Sequence, residues 1–186
     1  INYRVILPVK YDSSKESYPI VYLLHGLFGN CDNWLELTKI TEYLNASKLI
    51  IVLIEGENGW YSDSFSNQKN KFESYILVEL IPEVEKSFRV NKQKAKRAII
   101  GLSMGGYGAL KFGLKRPEMF CFVGSMSGAF DAPNRIGTTQ EFGNAELYST
   151  ILEVFGNEGS RTRVENDIFR IIEDYSSTEL INLPYF

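Results

Sequence analysis

The sequence predicts an α/β domain: a mostly parallel β-sheet with helices on both faces. Three observations predict it. Short runs that are apolar at every position, such as residues 20–24 and 49–54, are typical of strands covered on both sides. Helical spacing patterns alternate with these runs. The length of 186 residues, with 44% hydrophobic side chains, suits one domain with a substantial core. We therefore expect a single domain over residues 1–186.

The predicted elements alternate along the chain. The clear strands lie at residues 2–7, 20–24, 49–54, 98–101 and 120–126. After the third strand, five apolar residues recur at every fourth position and predict one helix with a single apolar stripe: Phe72, Ile76, Leu80, Val84 and Phe88. Pro82 is expected to kink that helix.

Two further helices are expected. One runs from Gly105 to Lys115, because Pro117 disfavours helical backbone just before it. The other is an amphipathic stretch marked by four apolar residues: Val164, Ile168, Ile171 and Tyr175.

The charge balance excludes a nucleic-acid or membrane partner. The chain has 20 Lys and Arg against 23 Asp and Glu, a net charge of −3, so no global basic field attracts a polyanion. No apolar run approaches the roughly 20 residues of a membrane-spanning helix.

Six basic residues do cluster, and there we expect a solvated loop between a helix and a strand: Lys86, Arg89, Lys92, Lys94, Lys96 and Arg97.

The two cysteines, Cys31 and Cys121, are too few for a disulfide framework or a cysteine-based zinc site. We expect Cys121 to be a small buried hydrophobe in its apolar strand and Cys31 to be a loop thiol. No metal ion or cofactor is implied by the sequence.

The segment Gly101-Leu102-Ser103-Met104-Gly105 fits the G-x-S-x-G pattern of a nucleophile elbow. Ser103 follows a predicted strand and precedes a predicted helix, which is the setting that an elbow needs. The turn forces the serine into a strained backbone conformation, and the glycines leave room for the neighbouring strand and helix. The alternative is a glycine-rich turn without chemistry, and a second motif argues against it.

That second motif is His25-Gly26-Leu27-Phe28-Gly29, directly after an apolar strand. Acyl transfer needs two backbone N–H donors directed at the developing oxyanion. In such folds one donor is the residue after the nucleophile, here Met104, and the other lies in a loop after an early strand. Together the two motifs predict an acyl-transfer site.

Three separated stretches resemble one family. LLHGLFGNCDNW, GENGWYSDS and RAIIGLSMGGYGALKFGLKRPEMF are similar to the α/β-hydrolase esterases of the esterase D type. That group includes S-formylglutathione hydrolases, tributyrin esterases, feruloyl and acetylxylan esterases and mycolyltransferases. The resemblance covers residues 1–128 and comes nearest to the tributyrin esterase branch.

The resemblance implies roles for five residues. Ser103 matches the nucleophile, and Leu27 and Met104 match the oxyanion-hole amides. Trp60 and Tyr61 match aromatic residues near the mouth of the pocket, although surface residues that cap a turn are an equal alternative.

The catalytic triad is incomplete in this sequence. The family places an aspartate and then a histidine after the serine, but no histidine follows Ser103. The only histidine, His25, is expected to pack and bond locally so that it shapes the oxyanion loop. Asp131 is expected to be an ordinary loop residue. Residues 183–186 look like the start of a strand, so we expect a fragment cut at both ends, with the catalytic Asp and His beyond Phe186.

The resulting hypothesis is a serine carboxylesterase that acts on short-acyl esters through an acyl-enzyme. Residues 138–182 are expected to form a helical, cap-like insertion over the active site. A thioesterase or acyltransferase of the same family is one alternative, and a non-catalytic binding protein with the hydrolase fold is another. The sequence leaves a homo-oligomer and the compartment open, with the cytoplasm favoured.

Overall fold

The computed structural model describes residues 1–138, 141 and 143–175. Within that part, five strands form one sheet in the order β1-β3-β2-β4-β5. They are β1 (Tyr3–Ile6), β2 (Ile20–Leu24), β3 (Ile50–Ile54), β4 (Arg97–Leu102) and β5 (Phe122–Met126). The first strand is antiparallel to β3 and the other pairs are parallel. The predicted strands and the mostly parallel sheet are confirmed.

Both faces of the sheet are covered, which explains the apolar runs. All five residues of β3 are buried. On one face, Leu23, Ile51 and Leu53 pack under the short helices α1 (Asn33–Glu36) and α2 (Ile40–Leu44). The larger part of the core lies on the other face, where helix α5 (Met104–Lys115) packs against β4 and β5.

The stripe of every-fourth apolar residues lies on a composite helix. It consists of α3 (Phe72–Ser74), a π-helical segment (Tyr75–Leu80) and α4 (Ile81–Ser87). An α-helix has 3.6 residues per turn, so a strict four-residue repeat drifts around its surface. The wider π turns compensate for the drift and keep Ile76, Leu80 and Val84 fully buried. The π segment ends just before Pro82, where we had expected a kink.

The third predicted helix is wrong as a single element. Residues 161–173 form two helices, α7 (Arg161–Asn166) and α8 (Ile168–Glu173), which follow α6 (Ala145–Phe155). The break occurs at Asp167, whose side chain accepts hydrogen bonds from the N–H groups of Phe169 and Arg170 and so begins a new helix. Of the four marker residues, Ile168 is buried and Val164 is 40% exposed.

Helices are therefore present in the region predicted as an insertion, and their position over the active site stays a prediction. Residues 176–182 of that region and the strand expected at 183–186 lie outside the described residues.

The expected burial of Cys121 is wrong, and Cys31, which lies in a loop as expected, is the buried one of the two. Cys31 is buried against Leu23, Ile51 and Leu53, because its loop folds back over the sheet. Cys121 is exposed, because it lies just before β5 and outside the packed part of the strand.

Four residues of the basic cluster are exposed, as expected for a solvated loop: Lys86, Lys92, Lys94 and Lys96. The two arginines are exceptions with structural contacts. The Arg89 guanidinium lies over the Tyr11 ring, 3.7 Å from its centroid, and Arg97 pairs with the buried Glu85 at 2.6 Å. None of the described helices is long and apolar enough to cross a bilayer.

A buried lysine on α5 connects the helices after β5 to the rest of the core. Lys111 has no exposed surface, and its Nζ lies 2.8 Å from Glu73 Oε2. It also donates to Tyr61 O and Asn166 Oδ1, both at 2.9 Å, and to Ser62 Oγ at 2.5 Å. Burial lowers the pKa of Lys111 to about 8. This one ammonium group therefore joins three helices, α3, α5 and α7, to the loop that contains Tyr61 and Ser62.

We predict that Lys111→Met lowers the free energy of unfolding by about 3 kcal/mol, because the carbonyl and amide oxygens around Lys111 lose their donor. Lys115→Met is the matched control. Lys115 binds the same carboxylate at 2.9 Å but is 25% exposed, so its loss should cost about 1 kcal/mol or less. Urea unfolding of both variants measures the difference, and equal losses would contradict the role given to Lys111.

Candidate active site

Ser103 occupies a strained turn between β4 and α5. Its φ is 55° and its ψ is −114°, a conformation that costs a residue with a side chain about 1–3 kcal/mol. The surrounding backbone holds it there, because the Ser103 N–H donates to Met126 O at 2.8 Å and the Ser103 carbonyl accepts from Tyr107 N at 3.0 Å. The side chain is half-buried. The predicted strand–turn–helix geometry is present.

The glycines around Ser103 are required by close backbone contacts. A Cβ on Gly101 would lie 2.0 Å from Gly105 O, and a Cβ on Gly105 would lie 2.4 Å from Leu24 O. Neither neighbour is a movable side-chain end, so no other residue fits. The N-terminus of α5 therefore lies directly against the end of β2.

The loop of residues 25–29 lies beside Ser103. A Cβ built on Gly26 would be 3.6 Å from both Leu102 O and Ser103 Cβ, an ordinary contact distance. Within the described part of the chain, the Leu27 N–H donates no hydrogen bond. Met104 is the first residue of α5, where an N–H has no acceptor within the helix. Two unpaired backbone donors thus lie in the two segments that meet at Ser103.

His25 fixes the direction of one of these donors. Its Nδ1 lies 2.8 Å from Gly26 O, which also accepts from Gly29 N at 3.1 Å. That carbonyl belongs to the same peptide unit as the Leu27 N–H, and in a trans peptide the two groups point in opposite directions. Holding the carbonyl therefore orients the N–H.

The other side of the His25 ring is also engaged. Nε2 accepts from Gly56 N at 2.9 Å and lies 3.0 Å from Glu55 Oε1. With 1% of its surface exposed and both nitrogens occupied, His25 shapes the loop, as expected, and is not a free base.

The loop after β3 supports the loop of residues 25–29, which the sequence predicts to be the oxyanion loop, through two residues that sequence reasoning missed. Glu55 Oε2 accepts from Cys31 N at 3.1 Å, and Asn58 Oδ1 accepts from Phe28 N at 2.9 Å. Phe28 has a φ of 61°, so this bond holds a strained residue next to Leu27. The predicted parallel sheet could have indicated these contacts. The strands β2 and β3 are parallel neighbours, and loops that follow such strands meet at one edge of the sheet.

Glu55 is ionised in this setting. Burial alone would raise the pKa of Glu55, but the N–H groups of Glu57 and Cys31 and the nearby His25 ring outweigh burial and lower it. Hydrogen bonds from backbone N–H groups favour the charged carboxylate. The carboxylate therefore helps to hold the loops after β2 and β3 together.

The aromatic pair is not at the mouth of a pocket, and the surface alternative is wrong as well. Trp60 is 3% exposed and Tyr61 is fully buried. Both have a positive φ, 52° and 48°, which turns the chain so that both rings enter the core. Trp60 Nε1 donates to Thr150 Oγ1 at 3.1 Å, and the Tyr61 hydroxyl donates to His25 O at 3.1 Å.

No described side chain hydrogen bonds to Ser103 Oγ, so a general base is missing from the described part of the site. Asp131 is an exposed loop residue, as expected, and pairs with Arg135 at 2.9 Å. Asp167 caps α8. Among the described side chains, no group of three or more His, Cys, Asp or Glu is placed to hold a metal ion.

Residues 1–165 match the model of the Esterase family, described as "Putative esterase". The chain is 31% identical over 183 residues to Esterase MT1326 of Mycobacterium tuberculosis, covering 90% of this chain and 39% of that protein. It is 32% identical over 162 residues to an acetyl esterase of Caldicellulosiruptor saccharolyticus, covering 87% and 60%.

Among solved structures, the substrate-bound fluorophosphonate-binding serine hydrolase F of Staphylococcus aureus superposes with a TM-score of 0.78 at 24% identity. The superposition covers 98% of this chain and 69% of that one. The fold is that of the α/β-hydrolase esterases. The chain spans 39% and 60% of the lengths of the two curated relatives.

The pH dependence of stability should report on Glu55. Because its pKa is lowered in the folded chain, the carboxylate stabilises the fold above the ordinary pKa of about 4.3 and loses that effect as the pH falls below it. The stability difference between the native chain and Glu55→Gln should therefore shrink between about pH 5 and about pH 3.

Urea unfolding across that range measures the difference. Glu57→Gln, which removes an exposed carboxylate from the same loop, controls for the loss of one negative charge. A difference for Glu55→Gln that stays constant with pH would contradict the account.

Proposed function

This chain belongs to the Esterase family, and from that membership we propose that it carries the nucleophile and the oxyanion hole of a serine carboxylesterase. The proposed substrates are short-acyl esters, which are cleaved through an acyl-enzyme on Ser103. The observation that carries the proposal is a pair of N–H groups, of Leu27 and Met104, that have no acceptor among the described residues and lie in the two segments that meet at a strained serine.

The proposed reaction has two halves. Ser103 Oγ attacks the ester carbonyl carbon while a base takes its proton, and the carbonyl oxygen becomes an oxyanion between the two N–H groups. The tetrahedral intermediate then collapses, the bond to the alcohol oxygen breaks, and the alcohol leaves with the proton. Water repeats the attack on the acyl-enzyme and releases the acid. Each oxyanion donor would contribute about 3 kcal/mol of transition-state stabilisation.

The general base of the proposed reaction lies outside these 186 residues. The only histidine of the sequence is His25, and both of its ring nitrogens are engaged. The alignments cover only 39% and 60% of the two curated relatives. An aspartate and histidine after Ser103 in the complete protein fit both facts.

The short-acyl class is supported by the resemblance to tributyrin esterases and by the acetyl esterase relative. The alternatives predict different reactions. A thioesterase would hydrolyse thioesters faster than esters, an acyltransferase would transfer the acyl group to an alcohol, and a binding protein would bind esters without cleaving them. One set of assays therefore separates all of them.

The test uses the complete protein that contains this sequence. We expect it to hydrolyse p-nitrophenyl acetate, and Ser103→Ala to lower kcat by about a millionfold because the nucleophile is gone. Ser127→Ala is the matched control. Ser127 also has a positive φ, of 48°, in a loop at the same edge of the sheet, and its loss should leave kcat within about twofold.

Hydrolysis that survives in Ser103→Ala would refute the role of the serine. A folded protein that binds esters without hydrolysing any of them would favour the binding-protein alternative. Faster turnover of glutathione thioesters, or transfer to added alcohols in preference to water, would favour the thioesterase or the acyltransferase.

A second prediction concerns the support of the oxyanion loop. Asn58→Ala leaves the Phe28 N–H without its acceptor, so the adjoining Leu27 peptide should lose its fixed orientation. We expect kcat to fall between about tenfold and about a hundredfold with little change in KM, because misplaced donors weaken mainly transition-state binding.

Asn30→Ala controls for a general loosening of the loop. The Asn30 side chain accepts from Asp32 N at 2.8 Å and, within the described residues, makes no hydrogen bond to the Leu27 peptide. Equal kinetic effects of the two substitutions would contradict a specific role for Asn58.

A further inference from the structure

Tyr61 connects the helix that follows Ser103 to the predicted oxyanion loop. Its side chain has no exposed surface, and its hydroxyl donates to His25 O, at the start of that loop, at 3.1 Å. At the other end of the residue, the Tyr61 carbonyl accepts from the buried Lys111 ammonium of α5 at 2.9 Å. One residue therefore bonds to both of the segments that meet at the serine.

The Tyr61 ring fits between two glycines. A Cβ built on Gly56 would lie 2.4 Å from Tyr61 Cε1, and a Cβ built on Gly108 of α5 would lie 2.7 Å from Tyr61 Cβ. Tyr61 also has a φ of 48°, in the left-handed region that residues with a side chain rarely adopt. Packing on both sides thus fixes the place of the hydroxyl, and the backbone is strained to bring it there.

The hydroxyl holds a different peptide group from the one that the His25 ring holds. It bonds to His25 O, which belongs to the His25–Gly26 peptide, whereas His25 Nδ1 and Gly29 N contact Gly26 O in the next peptide. Each peptide is a rigid plane, so two consecutive planes are fixed by different groups. The Leu27 N–H lies in the second plane, and its position depends on both.

We propose that Tyr61 is a positioning residue for the oxyanion hole, whose hydroxyl holds the His25–Gly26 peptide so that the Leu27 N–H is directed at the substrate carbonyl oxygen. The inference rests on the proposed esterase function. Because the ring is fully buried and the hydroxyl is bound to His25 O, Tyr61 acts through the loop and not on the substrate.

The surroundings suit a permanent donor. Burial raises the pKa of the Tyr61 hydroxyl well above its usual value, so the group keeps its proton across the neutral pH range. His25 O lies so close to α5 that a Cβ on Gly105 would be 2.7 Å from it. Tyr61→Phe would leave this buried carbonyl without the donor that fixes its direction.

The test measures p-nitrophenyl acetate hydrolysis by the complete protein that contains this sequence. We expect Tyr61→Phe to lower kcat by about tenfold to about a hundredfold and to leave KM within about twofold, because a misdirected donor weakens mainly transition-state binding. Trifluoroacetone is the second probe, since addition of Ser103 to its carbonyl gives an oxyanion. Its inhibition constant should rise by the same factor as kcat/KM falls.

Tyr107→Phe is the matched control. Tyr107 is also fully buried, and its hydroxyl donates to a backbone carbonyl, Asn166 O, at 2.8 Å. That carbonyl belongs to α7 and not to the oxyanion loop. Each substitution removes one buried hydrogen bond, so both should lower the urea midpoint by a similar amount, about 0.5 M. Only Tyr61→Phe should change kcat and the inhibition constant.

A second pair of variants keeps the hydroxyl and displaces it. A Cβ on Gly108 would meet the Tyr61 side chain at 2.7 Å, whereas a Cβ on Gly113 of the same helix would meet Val123 at 2.6 Å. We expect Gly108→Ala to lower kcat and raise the inhibition constant together, and Gly113→Ala to change neither. This pair decides the question if Tyr61→Phe does not fold.

A folded Tyr61→Phe variant with the kcat and inhibition constant of the unmodified protein would overturn the proposal. Equal kinetic losses in Tyr61→Phe and Tyr107→Phe would also overturn it, because the loss would then follow from general destabilisation. If the unmodified protein hydrolyses no ester, the proposed function itself fails and the inference fails with it.

Discussion

The structure depends on the close approach of three backbone segments around Ser103. The end of β2, the end of β4 and the start of α5 meet at distances that leave no room for a side chain at Gly101 or Gly105. Because the helix starts this close to the end of β2, the Met104 N–H and the oxyanion loop come to the same serine. The strained φ of Ser103 follows from the same constraint. The glycines at positions 101 and 105 and the strained Ser103 are thus parts of one arrangement, in which the backbone N–H groups that we propose to hold an oxyanion lie in segments that meet at the serine.

The oxyanion loop, in turn, is held by its neighbour after β3. Four different groups of that neighbouring loop contact residues 25–31: the Glu55 carboxylate, the Gly56 N–H, the Asn58 amide oxygen and the Tyr61 hydroxyl. Preorganised donors stabilise an oxyanion without reorganising during the reaction, and these bonds supply that rigidity. They also explain why the single histidine is not a base, since its two nitrogens hold the loop. Lys111 extends the same principle to α7, with one buried charge that joins four segments.

Much of the fold and part of the site could be predicted from local sequence. Apolar runs predicted the strands correctly because both faces of the sheet are covered. The G-x-S-x-G motif predicted the turn correctly because backbone close by leaves no room for a side chain at its glycines. Features that depend on distant contacts were not predictable from local sequence. Trp60 and Tyr61 enter the core through positive φ values, and Cys31 is buried by a loop that folds back. One amphipathic pattern around Ile168 belongs to two helices because Asp167 caps the second. Glu55 and Asn58 act across neighbouring strands, 24 and 30 residues from the N–H groups that they bind.

The central claim is that Ser103 forms a covalent acyl-enzyme with its carbonyl oxygen held by backbone N–H groups. The most direct measurement is to mix the complete protein with p-nitrophenyl acetate, quench it with acid during turnover and map the peptides by mass spectrometry. The account predicts the added mass of one acetyl group on the peptide that contains Ser103, and on no other serine peptide. An acetyl group found on a different residue, or rapid hydrolysis without any acylated peptide, would contradict it.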